Sequence, residues 1–157
     1  MFFARSKLLA VAFVILAISG CAEPVAKIAN TPSGKPEAMF RNASLSNVSN
    51  KMVGICAQVG ASIDVAENNR VVCRKTLEGS EAVTTQLLLG NSYSTAPVSV
   101  MSFTLVKMGR DVKAYVDQYS ETIMALGQPR RVNTMGNANF NIMLQVFEKI
   151  GGDPYPF

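Results

Sequence analysis

The chain has no histidine among its 157 residues. This absence excludes a Ser-His-Asp or Cys-His catalytic arrangement and any imidazole general base. The 11 glycines are scattered rather than gathered in a phosphate-binding loop, and no pair of carboxylates stands apart from the expected turns and strand edges. We therefore predict no catalytic residue, no cofactor and no metal site, and we expect that the protein is not an enzyme.

The chain also has little excess of positive charge outside its N-terminal segment. Two of the 15 basic residues, Arg5 and Lys7, lie at the extreme N-terminus, and without them 13 basic residues face 11 acidic ones. The sequence pI of about 9.1 is therefore weak evidence for a polyanionic partner. We expect no nucleic-acid binding.

The N-terminus has the pattern of a secretory signal. Arg5 and Lys7 precede the uncharged apolar run 8–18, which is shorter than the about 20 residues that a membrane-spanning helix needs. The run ends in Ile18-Ser19-Gly20-Cys21, which resembles a bacterial lipobox: a branched apolar residue, two small residues and a cysteine. The resemblance covers residues 1–22 only.

The lipobox resemblance implies an anchor and an address. Cys21 would carry a thioether-linked diacylglycerol, the signal would be cut before it, and the new amino group would be acylated. Two or three acyl chains hold a protein on a bilayer almost permanently. An Asp after the cysteine would resemble an inner-membrane retention signal, whereas Ala22 stands there. The resemblance therefore favours the outer membrane, with the domain facing the periplasm.

If Cys21 is lipidated, Cys56 and Cys73 are the two cysteines that remain. The periplasm is oxidising, so we predict a disulfide between them. Closing a loop of about 17 residues contributes on the order of 3 kcal/mol in the chain-entropy model. A free reactive thiol or a two-cysteine metal site is the alternative, and without histidine such a zinc site would need carboxylates.

Composition divides the chain into three parts. Residues 1–20 are the predicted signal. Residues 21–38 are mostly small, polar or proline and predict a flexible, lipidated tether that holds the domain some tens of Å from the bilayer. Residues 39–157 predict one α+β domain.

Periodicity within the domain predicts a helix, about five mostly antiparallel strands and a final helix, with the helices on one face of the sheet. The first helix, capped by Ser46 or Asn47, carries an apolar stripe that includes Cys56. The last helix, capped by Asn139, carries a stripe from Phe140 to Ile150. The predicted strands are a hairpin around Glu67–Arg70, residues 82–89, and the pair 98–106 and 111–119. Residues 121–128 fit either strand or helix, and 128–131 and 133–139 are predicted loops.

Arg130 and Arg131, with Arg110, form a candidate basic spot for lipid headgroups, peptidoglycan or an acidic partner; an ordinary solvated loop is the alternative. Tyr93 is a further candidate contact in a polar loop.

We expect a non-catalytic envelope lipoprotein that acts as an accessory or assembly component and binds an envelope protein or the cell wall. The alternative is a small-molecule or lipid-binding module with an apolar cavity between helix and sheet, lined by Met52, Phe103, Leu105 and Phe147.

Overall fold

The computed structural model describes residues 25–90 and 93–157. This part of the chain has an α+β fold with three helices and seven strands, more of each than the sequence predicts. In chain order the elements are β1 (Glu37–Phe40), α1 (Leu45–Gln58), β2 (Ser62–Ala66), β3 (Arg70–Thr76), α2 (Gly79–Leu89), β4 (Val98–Met108), β5 (Asp111–Ile123), β6 (Pro129–Asn133), α3 (Asn137–Lys149) and β7 (Asp153–Pro154).

The strands form one antiparallel sheet in the order β2-β3-β4-β5-β1-β7, and β6 pairs with the far end of β5. The predicted β4–β5 pair is present, with Phe103 opposite Val116. Because side chains alternate along a strand, both residues lie on one face, which we call the core face. The other face, which we call the outer face, carries the charged alternate residues of β3, β5 and β6.

Helices α1 and α3 pack on the core face. The side chain of Ser44 accepts a hydrogen bond from the Asn47 amide at 3.1 Å, so Ser44, and not Ser46 or Asn47, caps α1. Helix α3 begins at Asn137 after Gly136, so the predicted cap at Asn139 is also wrong. The Asn139 side chain instead donates to the Thr134 carbonyl at 3.0 Å.

Aromatic rings from both layers meet in the core. The Phe147 ring of α3 lies edge-on to Phe40 of β1 and to Phe103 of β4, with centroids 6.3 and 6.4 Å away. All three rings are almost completely buried, and full burial of such a side chain contributes roughly 1.5–3 kcal/mol. The predicted apolar stripes of the two helices therefore join them to the sheet.

Residues 82–89 form part of α2, so the predicted strand is wrong. Strands β3 and β4 pair directly with each other as far as Thr76 and Val98, which leaves no position between them for another strand. The connecting segment therefore crosses the end of the sheet as a helix. Of the residues of α2 only Leu89 is buried. The alternating apolar residues of this segment therefore do not form the buried face of a strand.

The end of β5 also differs from the prediction. Residues 121–128, whose sequence fits either strand or helix, continue β5 as far as Ile123. The chain then turns, with Gly127 at φ +77°. Residues 129–133 pair with β5 as the edge strand β6, although 129–131 and 133 belong to the predicted loops. All five residues of β6 are exposed, so no alternation of buried side chains marks the strand in the sequence.

The predicted tether contains sheet residues. Glu37 and Ala38 form the first half of β1, between β5 and β7, and are completely buried. The Glu37 carboxylate lies 2.5 Å from the Lys113 ammonium group on β5. Pairing of a buried carboxylate with a cation offsets the cost of its burial. The folded part of the chain therefore begins before residue 39.

Candidate interaction surfaces

Cys21, the predicted lipidation site, lies outside the described residues, as do the signal and the start of the tether. Within residues 25–90 and 93–157, no helix is both long and apolar enough to span a bilayer.

The structure contains the Cys56–Cys73 disulfide. Cys56 lies on the buried stripe of α1 and Cys73 on the core face of β3, with Cα atoms 5.9 Å apart. Both residues are almost fully buried. The disulfide therefore fixes the helix to the sheet inside the core and is not an exposed reactive group.

The three predicted interaction residues lie at one end of the sheet but point in different directions. Arg130 donates a hydrogen bond to the Leu89 carbonyl at 3.2 Å, where its charge complements the C-terminal end of α2. Tyr93 follows Leu89 closely in the chain and is 81% exposed. Arg131 lies on the opposite side of β6, on the outer face. Arg110 is at the β4–β5 turn, the other end of β5, so the predicted basic spot does not include it.

An ion-pair network on the outer face surrounds Glu121. Arg131 donates to one carboxylate oxygen, and Arg74 donates to the other at 2.9 Å. Arg74 also pairs with Asp64 at 3.0 Å. The Arg131 guanidinium stacks on Tyr119, 4.9 Å from its ring centroid. The network links β2, β3, β5 and β6, and it places a carboxylate that is only 4% exposed between two arginines.

These contacts shift three ionisation equilibria. Burial acts to raise the pKa of Glu121, but the hydrogen bonds from Arg131 and Arg74 outweigh it, and the pKa lies below its ordinary value. The hydrogen bond to Glu121 raises the pKa of Arg131. Desolvation acts to lower the pKa of Arg74, but its carboxylate partners raise it overall. Glu121 is therefore an anion at neutral pH, held by its two arginine partners.

A shallow depression of about 420 Å³ lies beside this network on the outer face. Its rim combines arginine and tyrosine side chains, which are enriched at protein interfaces. The charged and aromatic residues that line it are Arg70, Asp117, Tyr119 and Arg131. Arg70 and Arg131 come from strands on opposite sides of β4 and β5, so the sequence spacing alone does not bring them together.

A polar groove runs between α2 and the core face. Two adjoining cavities of about 420 and 360 Å³ share Leu77, Glu81, Ser99 and Gln118. Hydroxyl and amide groups dominate the second cavity. Glu81 is the acidic residue of the first turn of α2, and in the described part of the chain no three acidic or cysteine side chains are placed to hold a metal ion. The groove offers hydrogen-bonding groups, and Lys75, Glu78 and Glu81 line its first cavity.

Helix α2 turns apolar side chains outward. Val83, Leu87 and Leu88 are 60%, 80% and 69% exposed, and we call these three residues the α2 surface. An apolar depression of about 350 Å³ lies beside them, between Val83, Leu87 and Pro97. The sequence pattern did not reveal this surface, because exposed aliphatic residues of a helix and buried ones of a strand look alike. The i, i+4 spacing of Val83 and Leu87 is a helical signal that fits this surface.

The four residues proposed to line an apolar cavity belong to the packed core instead. Met52, Phe103, Leu105 and Phe147 lie in one buried cluster and are at most 3% exposed. A closely packed interior of this kind holds few voids larger than a water molecule.

The chain matches no protein-family model, and neither a characterised protein nor a solved structure resembles it significantly.

Proposed function

We propose that this chain is an envelope lipoprotein, held on the bilayer by acylated Cys21, that acts as a non-catalytic accessory or assembly component. Its α2 surface binds a protein partner. The observation that carries the proposal is the exposure of Val83, Leu87 and Leu88 on one short helix. Contiguous exposed apolar side chains on a folded domain are typical of interaction sites.

The composition of α2 and its flanking residues favours a protein over a lipid surface as its occupant. Glu78 and Glu81 lie at the start of the helix, and residues 77–98 contain no lysine or arginine. Amphipathic helices that bind anionic membranes carry basic residues on the polar face. A protein partner with an apolar side chain for the depression beside Leu87 fits this composition better.

The compartment is part of the same proposal. Ala22 after Cys21 favours the outer membrane with the domain in the periplasm, where a disulfide such as Cys56–Cys73 forms and persists. The packed core does not favour a ligand-binding role in an apolar cavity, because the residues that would line that cavity pack against one another.

Photo-crosslinking in intact cells tests the partner. A benzoylphenylalanine at Leu87 should give a light-dependent adduct with an envelope protein, and the same group at Met108, which is 50% exposed at the β4–β5 turn, should not. The adduct should disappear when Val83 is changed to Ser in the same chain. Equal adducts from both positions, or none from Leu87, would contradict the proposal.

The anchor is tested separately. The unaltered protein should partition with membranes and carry acyl groups on Cys21 by intact-mass measurement. A Cys21→Ser variant should lose both properties. Full processing and membrane retention of that variant would show that the anchor is elsewhere.

A further inference from the structure

Residues 25–28 do not hang free of the domain but are held against α3 by side-chain amides. Asn137 Nδ2 donates to the Val25 carbonyl at 2.9 Å, and Asn141 Nδ2 donates to the Ala26 carbonyl at 2.8 Å. The Ile28 amide in turn donates to Asn141 Oδ1 at 3.0 Å. Asn141 thus pairs with the segment as donor and acceptor, in the way that a neighbouring strand would.

A cation–π contact adds to this attachment. The Lys27 ammonium group lies 4.5 Å from the centroid of the buried Phe140 ring. A cation over the face of an aromatic ring is attracted by the negative charge of that face. The segment is therefore fixed along the first half of α3 at consecutive positions.

The fixed segment shortens the reach of the predicted anchor. Only Ala22, Glu23 and Pro24 separate Cys21 from Val25. At no more than about 3.3–3.6 Å per residue, the chain from Cys21 to Val25 spans at most about 14 Å. The acyl chains must then enter the bilayer within that distance of α3, and not some tens of Å below the domain.

The surface beside this attachment point has the composition of a membrane-facing surface. Val25, Ile28 and Ile142 are 54%, 64% and 55% exposed. Residues 25–31 and 137–147 contain no aspartate or glutamate, and Lys27 is their one charged residue. Apolar side chains with a basic residue suit the boundary between headgroups and acyl chains, and Glu23 is the one acidic residue between Cys21 and this surface.

We propose that this surface, formed by Val25, Lys27, Ile28 and Ile142, rests directly on the anionic lipid surface into which Cys21 inserts. The inference rests on the proposed lipid anchor and adds an orientation to it: the domain lies against the bilayer by its α3 side.

Fluorescence quenching in vesicles tests the orientation. The full lipidated protein is reconstituted in phosphatidylethanolamine–phosphatidylglycerol vesicles that contain a nitroxide-bearing lipid. An environment-sensitive fluorophore is placed at Ile142→Cys or, as the matched control, at Asn68→Cys. Asn68 lies in the exposed β2–β3 turn, at the opposite edge of the sheet from β1 and β7, on which α3 packs.

A surface of this kind sinks about 5–10 Å into the headgroup region, so we expect quenching at position 142 to exceed that at position 68 at least about twofold. The change Asn141→Ala should release the segment and bring the two signals together while the protein stays in the membrane fraction. Equal quenching in the unaltered chain, or no effect of Asn141→Ala, would overturn the inference.

The outcome separates this inference from the anchor. If intact-mass measurement finds no acyl group on Cys21 of the membrane-extracted protein, the proposed anchor fails. If Cys21 is acylated but position 142 is quenched no more than position 68, the anchor stands and the orientation is wrong.

Discussion

Replacement of Glu121 by glutamine removes the negative charge that holds two arginines over the outer face. The amide keeps the size of the carboxylate and one acceptor oxygen, so the change tests charge rather than packing. Arg131 and Arg74 each lose an ionic partner, and Arg74 keeps its contact with Asp64.

The expected cost follows from the exposure of the partners. Breaking a fully buried pair costs about 3–5 kcal/mol because an uncompensated charge is left inside. The side chains of Arg74 and Arg131 are 39% and 56% exposed, so water can solvate both after the change. The loss is then that of the charge-assisted hydrogen bonds alone, and we expect Glu121→Gln to lower the free energy of unfolding by about 1–3 kcal/mol at pH 7.

The pH dependence has a definite sign. The pKa of Glu121 is lower in the folded than in the unfolded state, so its contribution is fully present above the unfolded pKa of about 4.3. It is lost as the pH falls through the lower folded value. The difference in stability between the unaltered protein and Glu121→Gln should therefore be constant from pH 7 to 5 and shrink in more acidic solution.

Urea denaturation of residues 22–157 followed by circular dichroism measures both effects. Glu148→Gln is the control, since Glu148 is an exposed carboxylate on α3 and should change stability by no more than about 0.5 kcal/mol. The reasoning is refuted if the two variants are equally stable at pH 7, or if the gap between Glu121→Gln and the unaltered protein widens toward acid.

Three other changes should alter the free energy of unfolding, two by lowering it and one by raising it. Reduction of the Cys56–Cys73 disulfide should cost about 3 kcal/mol in the chain-entropy model; an unchanged urea midpoint with reductant, in a protein shown to carry free thiols, would contradict this. Gly152→Ala should cost about 1–3 kcal/mol by overpacking, because a Cβ there would lie 2.8 Å from Phe40. Gly54→Ala should stabilise α1 by about 0.5–1 kcal/mol, because a Cβ there meets nothing within 4 Å; thermal melts that rank these two glycine variants the other way would contradict both.

The elements that the sequence predicts correctly are those whose buried apolar side chains recur at helical or strand spacing. The stripe from Val48 to Cys56 marks α1, and the alternation in 98–106 and 111–119 marks β4 and β5, because each element buries one side. The disulfide was predictable from the cysteine count once Cys21 is assigned to lipid in an oxidising compartment.

The errors fall on elements that bury little. Helix α2 turns its aliphatic residues outward, so its pattern indicates a strand that the sheet has no room for. Strand β6 has no buried residue, and its Pro129 and arginines are typical of an exposed edge as well as of a loop. The tether prediction failed at Glu37 because burial of a carboxylate depends on Lys113, which is distant in sequence.

The interaction surfaces depend on these same segments. Arg131 meets Glu121 only because β6 pairs in register with β5, and the exposure of Leu87 requires α2 to be a helix. The sequence names Arg131 as a candidate but cannot supply its partners, Glu121 and Tyr119, because these lie on another strand.

The position of β1 has a consequence for how the molecule assembles. Ala38 pairs with Ala114 on one side and with Pro154 on the other, so the first strand is enclosed by elements that lie far later in the chain. Long-range pairing of this kind raises the contact order and slows folding. The sheet cannot be completed until β7 has been synthesised, and removal of Asp153 and Pro154 would leave an internal strand with an unpaired edge.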